Sequence, residues 1–143
     1  MADQQTIDVL NRLLAVHCYS LSTFWDIAHP WSDDRGDDVA EALQHVVADE
    51  AETQQRLVAM IRDFGGRTQT GTFPMEFTSL HDLSSDYLLG ELIRRQRINI
   101  DVITQCVAEL ATAPLAKSAA EEALGAAKAH LETFEQLAAQ PMA

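Results

Sequence analysis

The stretch that decides the fold is "VVADEAETQQRLVAM", residues 46–60. Spacings of three and four residues place Val46, Glu50, Thr53, Leu57 and Met60 on one stripe of a helix. The stripe is largely apolar, but it carries a glutamate near its middle. An ionised carboxylate in an apolar core is costly unless it is paired, hydrogen-bonded or bound to a metal. Glu50 therefore needs a partner inside the fold.

The same helical periodicity extends outward to four long segments. They are predicted at residues 6–28, 38–64, 86–111 and 112–138, with an aspartate near Asp37 as N-cap of the second. Pro30 ends the first helix, and glycines at 65–66 end the second. The third connection, after Ala111, is a tight turn, "TAP" at 112–114, with Thr112 as a possible N-cap and Pro114 near the first turn of the fourth helix.

The connection between the second and third helices, "GGRTQTGTFPMEFTSLHDLSS", is far longer than the others, with one short helical turn expected at 79–83. A segment of this length suits a crossover that runs the length of a helix bundle. We therefore predict a single all-α domain over residues 1–143. Its architecture is an up-down four-helix bundle with a long crossover between helices 2 and 3.

The charge and hydrophobicity of the chain disfavour some classes of function. The chain of 143 residues carries a formal net charge of −12, which disfavours nucleic acid and anionic membrane surfaces as partners. No apolar run is long enough to span a membrane, and the N-terminus lacks the pattern of a signal peptide. We expect a cytoplasmic protein. Its two cysteines, Cys18 and Cys106, have no metal-binding spacing and are expected to be packed thiols.

Each predicted helix carries a polar residue on its core stripe near its midpoint. These residues are His17, Glu50, Gln96 and His130, and Thr53 lies one turn from Glu50. Helices of equal length in a bundle bring their midpoints to one level. The sequence therefore predicts a polar layer across the core, in which Glu50 faces the two histidines.

These positions resemble the ligand pattern of the ferritin-like superfamily, which has Glu, Glu-x-x-His, Glu and Glu-x-x-His on its four helices. The helix "LNRLLAVHCYSLSTFW" at 10–25 is similar to the first helix of bacterioferritins, with His17 where the ligand glutamate stands. "ADEAETQQRLVAMIRDFGG" at 48–66 resembles the second helix, with Glu50 as ligand. The stretch that continues into "FGGRTQTGT" and the long crossover are similar to those of Dps-type mini-ferritins.

The resemblance implies a bundle fold and a degenerate di-iron centre. Gln96 occupies the third-helix glutamate position, and "AKAH" at 127–130 places His130 at the final histidine. Thr53 and Ala127 replace two family ligands. One carboxylate does not bridge two irons, so a classical ferroxidase is disfavoured, and whether the chain is an enzyme stays open.

Three functions remain open at the level of sequence. His17, Glu50 and His130, helped by Gln96, would hold one Fe or Zn ion. Alternatively, His17, Glu50 and His130 form a metal-free hydrogen-bonded network, completed by Gln96 and Thr53, in a dimeric structural or interaction module. The third function is a small-molecule binder or enzyme that uses the space left where larger family ligands are replaced by Thr53 and Ala127.

The first helix is apolar on more than one face, which indicates a partner surface. The residues outside its main stripe are Val9, Leu13, Val16, Tyr19 and Ile27, with Trp25 and Trp31 near its end. We expect a homodimer through helices 1 and 2, or a larger homo-oligomer.

Overall fold

The computed structural model describes residues 4–23, 34–71 and 85–139. These residues form four helices and no strand: α1 (Gln4–Cys18), α2 (Asp34–Asp63), α3 (Ser85–Glu109) and α4 (Pro114–Ala139). The all-α class and the four helices predicted from periodicity are confirmed. Helix α2 begins four residues earlier than predicted, so Asp37 lies inside the helix rather than at its cap.

The core consists of two apolar clusters with polar residues between them. One cluster joins the first half of α1 to the C-terminal halves of α2 and α3 and the N-terminal half of α4, and includes Leu10 and Leu57. The other includes Val46, Leu92 and Phe134. Burial of this apolar surface supplies most of the driving force for folding. The predicted stripes change from one cluster to the other at the level of the polar layer.

Helix α1 ends at Cys18, ten residues before the predicted end at Ala28. Tyr19 and Ser20 interrupt the helix, and residues 21–23 are helical again. The Ser20 hydroxyl accepts a hydrogen bond from the Thr23 backbone N–H at 3.1 Å, which is the geometry of an N-cap. A serine that caps a new helical segment competes with continuation of the old one.

The end of α2 is a Schellman motif. The backbone N–H of Gly65 donates to the Arg62 carbonyl, and that of Gly66 donates to the Ile61 carbonyl, both at 2.9 Å. Gly65 has a φ of 81°, a conformation that residues with a Cβ rarely adopt. This motif explains why the helix stops where the two glycines predict.

The chain then packs against α1. The side-chain amide of Asn11 donates to the Arg67 carbonyl at 2.9 Å and accepts from the Gln69 N–H at 2.6 Å. Further along, the Tyr19 hydroxyl lies 3.0 Å from the Thr70 hydroxyl. The residues after α2 are therefore held to the outer side of α1 by polar contacts.

Two residues assigned to the outer apolar face of α1, Val9 and Leu13, are buried within this single chain. Their apolar surface does not require a second copy. Trp25, Ile27, Trp31 and the helical turn expected at 79–83 lie outside the described residues. No helix in the described part of the chain is both long and apolar enough to cross a membrane.

Candidate functional site

All four polar-layer residues are buried and line one small cavity. His17 is 6% exposed, Glu50 6%, Gln96 7% and His130 9%. The cavity has a volume of about 20 Å³, and Thr53 also contributes to its wall. A space of that size holds about one water molecule or one ion. It is too small for a metabolite, which removes the support for a small-molecule site in the core itself.

His17 is oriented by its own helix. Its Nδ1 lies 2.9 Å from the backbone carbonyl oxygen of Leu13. A carbonyl oxygen only accepts, so Nδ1 carries the proton and Nε2 is the nitrogen with a free lone pair. Burial lowers the pKa of His17, the Leu13 carbonyl partly opposes this shift, and the charge of nearby His130 adds to it. The ring is therefore neutral at neutral pH, the state that binds metals.

Glu50 is held as a neutral acid at neutral pH. Burial raises its pKa to about 8, the hydrogen bond from Ser20 opposes the shift, and the charge of Asp49 adds to it. The Ser20 hydroxyl donates to Glu50 Oε1 at 3.2 Å. Glu50 is accordingly a carboxyl group that must lose a proton before it can act as an anionic ligand.

The interruption of α1 brings Ser20 to Glu50. Because the helix stops at Cys18, the carbonyl of His17 is left without a regular helical partner. The side-chain amide of Gln54 on α2 donates to that carbonyl at 2.9 Å. Two polar contacts therefore join the end of α1 to α2, one from Ser20 to Glu50 and one from Gln54 to the His17 carbonyl.

On the opposite side of the cavity, His130 pairs with Asp49. The distance between His130 Nε2 and Asp49 Oδ2 is 2.9 Å. The carboxylate accepts, so Nε2 carries a proton, and Nδ1 is the ring nitrogen outside this contact. Gln96 donates from its Nε2 to the Ala127 carbonyl at 2.9 Å, which leaves its Oε1 as an acceptor.

The structure corrects the predicted contacts within the layer. The four residues share one cavity, but the hydrogen bonds of Glu50 and His130 go to Ser20 and Asp49 rather than to each other. Thr53, predicted to complete the network, donates back to the Asp49 carbonyl at 3.2 Å. Among residues 4–23, 34–71 and 85–139, no three His, Cys, Asp or Glu side chains are already arranged to hold a metal ion.

Sequence reasoning missed Asp49 and Ser20. Asp49 precedes Glu50 and lies off the core stripe, and its side chain is 59% exposed. A helical period assigns such a position to solvent, and only its adjacency to Glu50 would have drawn attention to it. Ser20 was read as part of an uninterrupted helix, so its capping role was not foreseen.

Cys18 does not supply a ready thiolate. Burial raises the pKa of its thiol, and the charge of Glu50 raises it further. Nucleophilic and metal-binding cysteines need the opposite shift. The expectation of a packed thiol agrees with this environment, and Cys106 is fully buried.

Replacing Ser20 with alanine is expected to raise the pKa of Glu50 further, because the hydroxyl stabilises the carboxylate. It is also expected to lower the free energy of unfolding by about 1 kcal/mol through loss of the cap. Titration of the Glu50 carboxyl carbon by NMR measures the first effect, and chemical denaturation measures the second. Ser20→Thr keeps the hydroxyl and serves as control. An unchanged Glu50 pKa in the alanine variant would contradict the assignment.

Comparisons of the chain with family models, with curated proteins and with solved structures found no match. The resemblance to ferritin-like proteins therefore depends on the residues quoted above.

Proposed function

We propose that the protein binds a single divalent metal ion, Fe or Zn, in the core of its helix bundle. The ligands are His17 Nε2, the Glu50 carboxylate and His130 Nδ1, with Gln96 Oε1 as a weaker fourth donor. The observation that carries the proposal is the cavity of about 20 Å³, which has room for one ion and is lined by all four side chains.

The two histidines support this assignment. Each ring makes a hydrogen bond through one nitrogen at 2.9 Å, His17 to a backbone carbonyl and His130 to a carboxylate. The other nitrogen of each ring keeps its lone pair. Metal-ligating histidines typically have this second hydrogen bond, which fixes the tautomer and the orientation of the ring.

Binding the ion requires a proton to leave and side chains to adjust. Glu50, with a pKa of about 8, is mostly protonated at neutral pH, so the ion displaces that proton. Two imidazoles, one carboxylate and an amide oxygen then surround one cation, which fills the cavity of about 20 Å³. The single carboxylate in the layer favours one ion over two. Such a site suits metal binding, sensing or limited oxidation chemistry.

We also propose the ferritin-like arrangement with its crossover. The end of α2 lies against the start of α1, because a Cβ on Gly66 would meet Ile7 at 2.7 Å. The end of α3 also lies beside the middle of α1, where Glu109 pairs with Arg12. These contacts support α2 and α3 running in the same direction, which is the arrangement that a crossover between them requires.

Elemental analysis tests the metal proposal directly. The full chain is purified without chelators, exposed to Zn(II) or anaerobic Fe(II), and desalted. We expect one retained ion per chain, and its loss in His17→Ala. His45→Ala removes an exposed histidine of α2 and is the matched control, which should retain the ion. A wild-type chain that retains no ion contradicts the proposal.

One observation favours a second candidate, a metal-free structural or interaction module, dimeric as predicted from the sequence. Each of the four polar residues already has a hydrogen-bond partner: Leu13, Ser20, Ala127 and Asp49 serve His17, Glu50, Gln96 and His130 in turn. A layer satisfied in this way fixes the register of the helices without an ion. The absence of a retained ion in the analysis above is the result that this candidate predicts.

A further inference from the structure

A broad groove lies between α2 and α4. Its volume is about 740 Å³, many times that of the cavity in the core. On the α4 side the wall contains three alanines, Ala119, Ala123 and Ala126, which leave the space between the helices unfilled. On the α2 side the wall consists of polar side chains, namely Asp49, Glu52, Thr53, Gln55 and Arg56.

The groove and the core cavity adjoin. Asp49, Thr53, Ala123 and Ala126 line both spaces. Two of these residues are alanines and one is a threonine whose hydroxyl is turned back to its own helix. Only short side chains and the Asp49 carboxylate therefore separate the groove from the residues of the polar layer.

Within residues 4–23, 34–71 and 85–139, contacts obstruct several of the other approaches to the cavity, whereas at the seam between α1 and α3 the half-buried Val16 and Asn99 line it. The apolar clusters fill the bundle above and below the layer, with Leu57 and Phe134 fully buried. The seam between α1 and α2 is bridged by the hydrogen bond from Gln54 to the His17 carbonyl. The seam between α3 and α4 is bridged by Gln96, which donates to α4.

The groove is also electrostatically suited to cations. Asp49, Glu52 and Glu122 contribute three carboxylates to its wall, and Arg56 contributes the one cationic side chain. Arg56 forms an ion pair with Glu122, so its charge is neutralised at the site. A concave wall with unbalanced negative charge raises the local concentration of cations.

From this geometry we infer that a divalent cation reaches the polar layer through the groove between α2 and α4. The cation passes between Ala126 and Asp49, and the Asp49 carboxylate is the last group that it meets before the histidines. The inference rests on the proposed function, since it concerns the entry of the same ion. In this scheme the groove selects cations over anions, and the residues of the polar layer retain the bound ion.

Ala126→Leu tests the route by narrowing the passage. Ala126 is half-buried and lines both the groove and the cavity, so a leucine there occupies the space between them. The probe is Co(II), and its uptake by the metal-free chain is followed by stopped-flow absorbance. We expect the association rate to fall by about tenfold or more, with the final stoichiometry unchanged. Ala138→Leu, an exposed site on the same helix outside the groove, should take up Co(II) at the wild-type rate.

Glu52→Gln provides a second variant that does not alter packing, because Glu52 is exposed. Removing one charge of the groove should slow uptake about two- to fivefold at low ionic strength, with the difference lost at high salt. Wild-type rates in both Ala126→Leu and Glu52→Gln would overturn the route while leaving the metal site intact. A wild-type chain that takes up no Co(II) would overturn the route together with the proposed function.

Discussion

Replacing Glu50 with glutamine is expected to raise the free energy of unfolding by up to about 4 kcal/mol near pH 8 and to change it little near pH 4. The substitution keeps the shape of the side chain and removes the ionisable group. No other single change at the polar layer is expected to stabilise the metal-free protein as much.

The direction follows from the pKa of Glu50, which is about 8 in the folded chain and near its ordinary value of 4.5 when unfolded. Between these two values the folded state holds a proton that the unfolded state has lost. The free energy of unfolding therefore falls as pH rises through this window, by about 1.4 kcal/mol per pH unit. Below the window both states are protonated and the penalty is absent.

Chemical denaturation of the metal-free protein at several pH values measures the effect. The wild type should lose stability from about pH 4.5 to pH 8 relative to Glu50→Gln. His17 has a lowered pKa and contributes an opposite slope below its ordinary value, but it does so in both proteins and cancels in the comparison. Glu52→Gln, at an exposed carboxylate, is the control. Parallel pH profiles for wild type and Glu50→Gln would show that Glu50 is not buried as a neutral acid.

The affinity for the ion is expected to rise about tenfold per pH unit up to about pH 8 and to level off above it. The ion binds the Glu50 carboxylate, so below the pKa of about 8 each binding event releases one proton. His17 does not add to this slope near neutral pH, because burial already keeps its ring neutral.

Competition with a chromophoric chelator measures this dependence for Zn(II) or Co(II). The Glu50→Gln variant should bind the ion more weakly at high pH. Its affinity should also lack the rise with pH that comes from deprotonation of Glu50. The number of protons released can be obtained independently by calorimetry in buffers of different ionisation enthalpy. A wild-type affinity that does not change between about pH 6.5 and pH 8 would exclude Glu50 as a ligand.

Periodicity was sufficient to predict the four helices of the described residues and the burial of His17, Glu50, Gln96 and His130. Glu50 and His130 fall on stripes whose other members, such as Val46 and Phe134, are buried as expected. The glycines at 65–66 end α2 in a Schellman motif, and a pair of glycines after a helical stripe is a sequence signal for such an end. These features are local, since each depends on spacing within one helix or on the conformational freedom of one glycine.

The contacts inside the layer were not predictable in the same way. The interruption at Tyr19 and Ser20 depends on Ser20 finding both a cap position and Glu50 on another helix. The choice of Asp49 over Glu50 as partner of His130 depends on how α2 and α4 are rotated against each other. A helical stripe indicates which residues face the core but not which of them meet, because that is decided by tertiary packing.

The most direct test of the metal site is a crystal structure of the Co(II)-loaded protein with data collected at the cobalt absorption edge. We predict one anomalous peak per chain in the cavity, about 2.0–2.1 Å from His17 Nε2 and His130 Nδ1 and in contact with a Glu50 oxygen. A cavity without a peak, or cobalt bound only to carboxylates of the groove between α2 and α4, would contradict it.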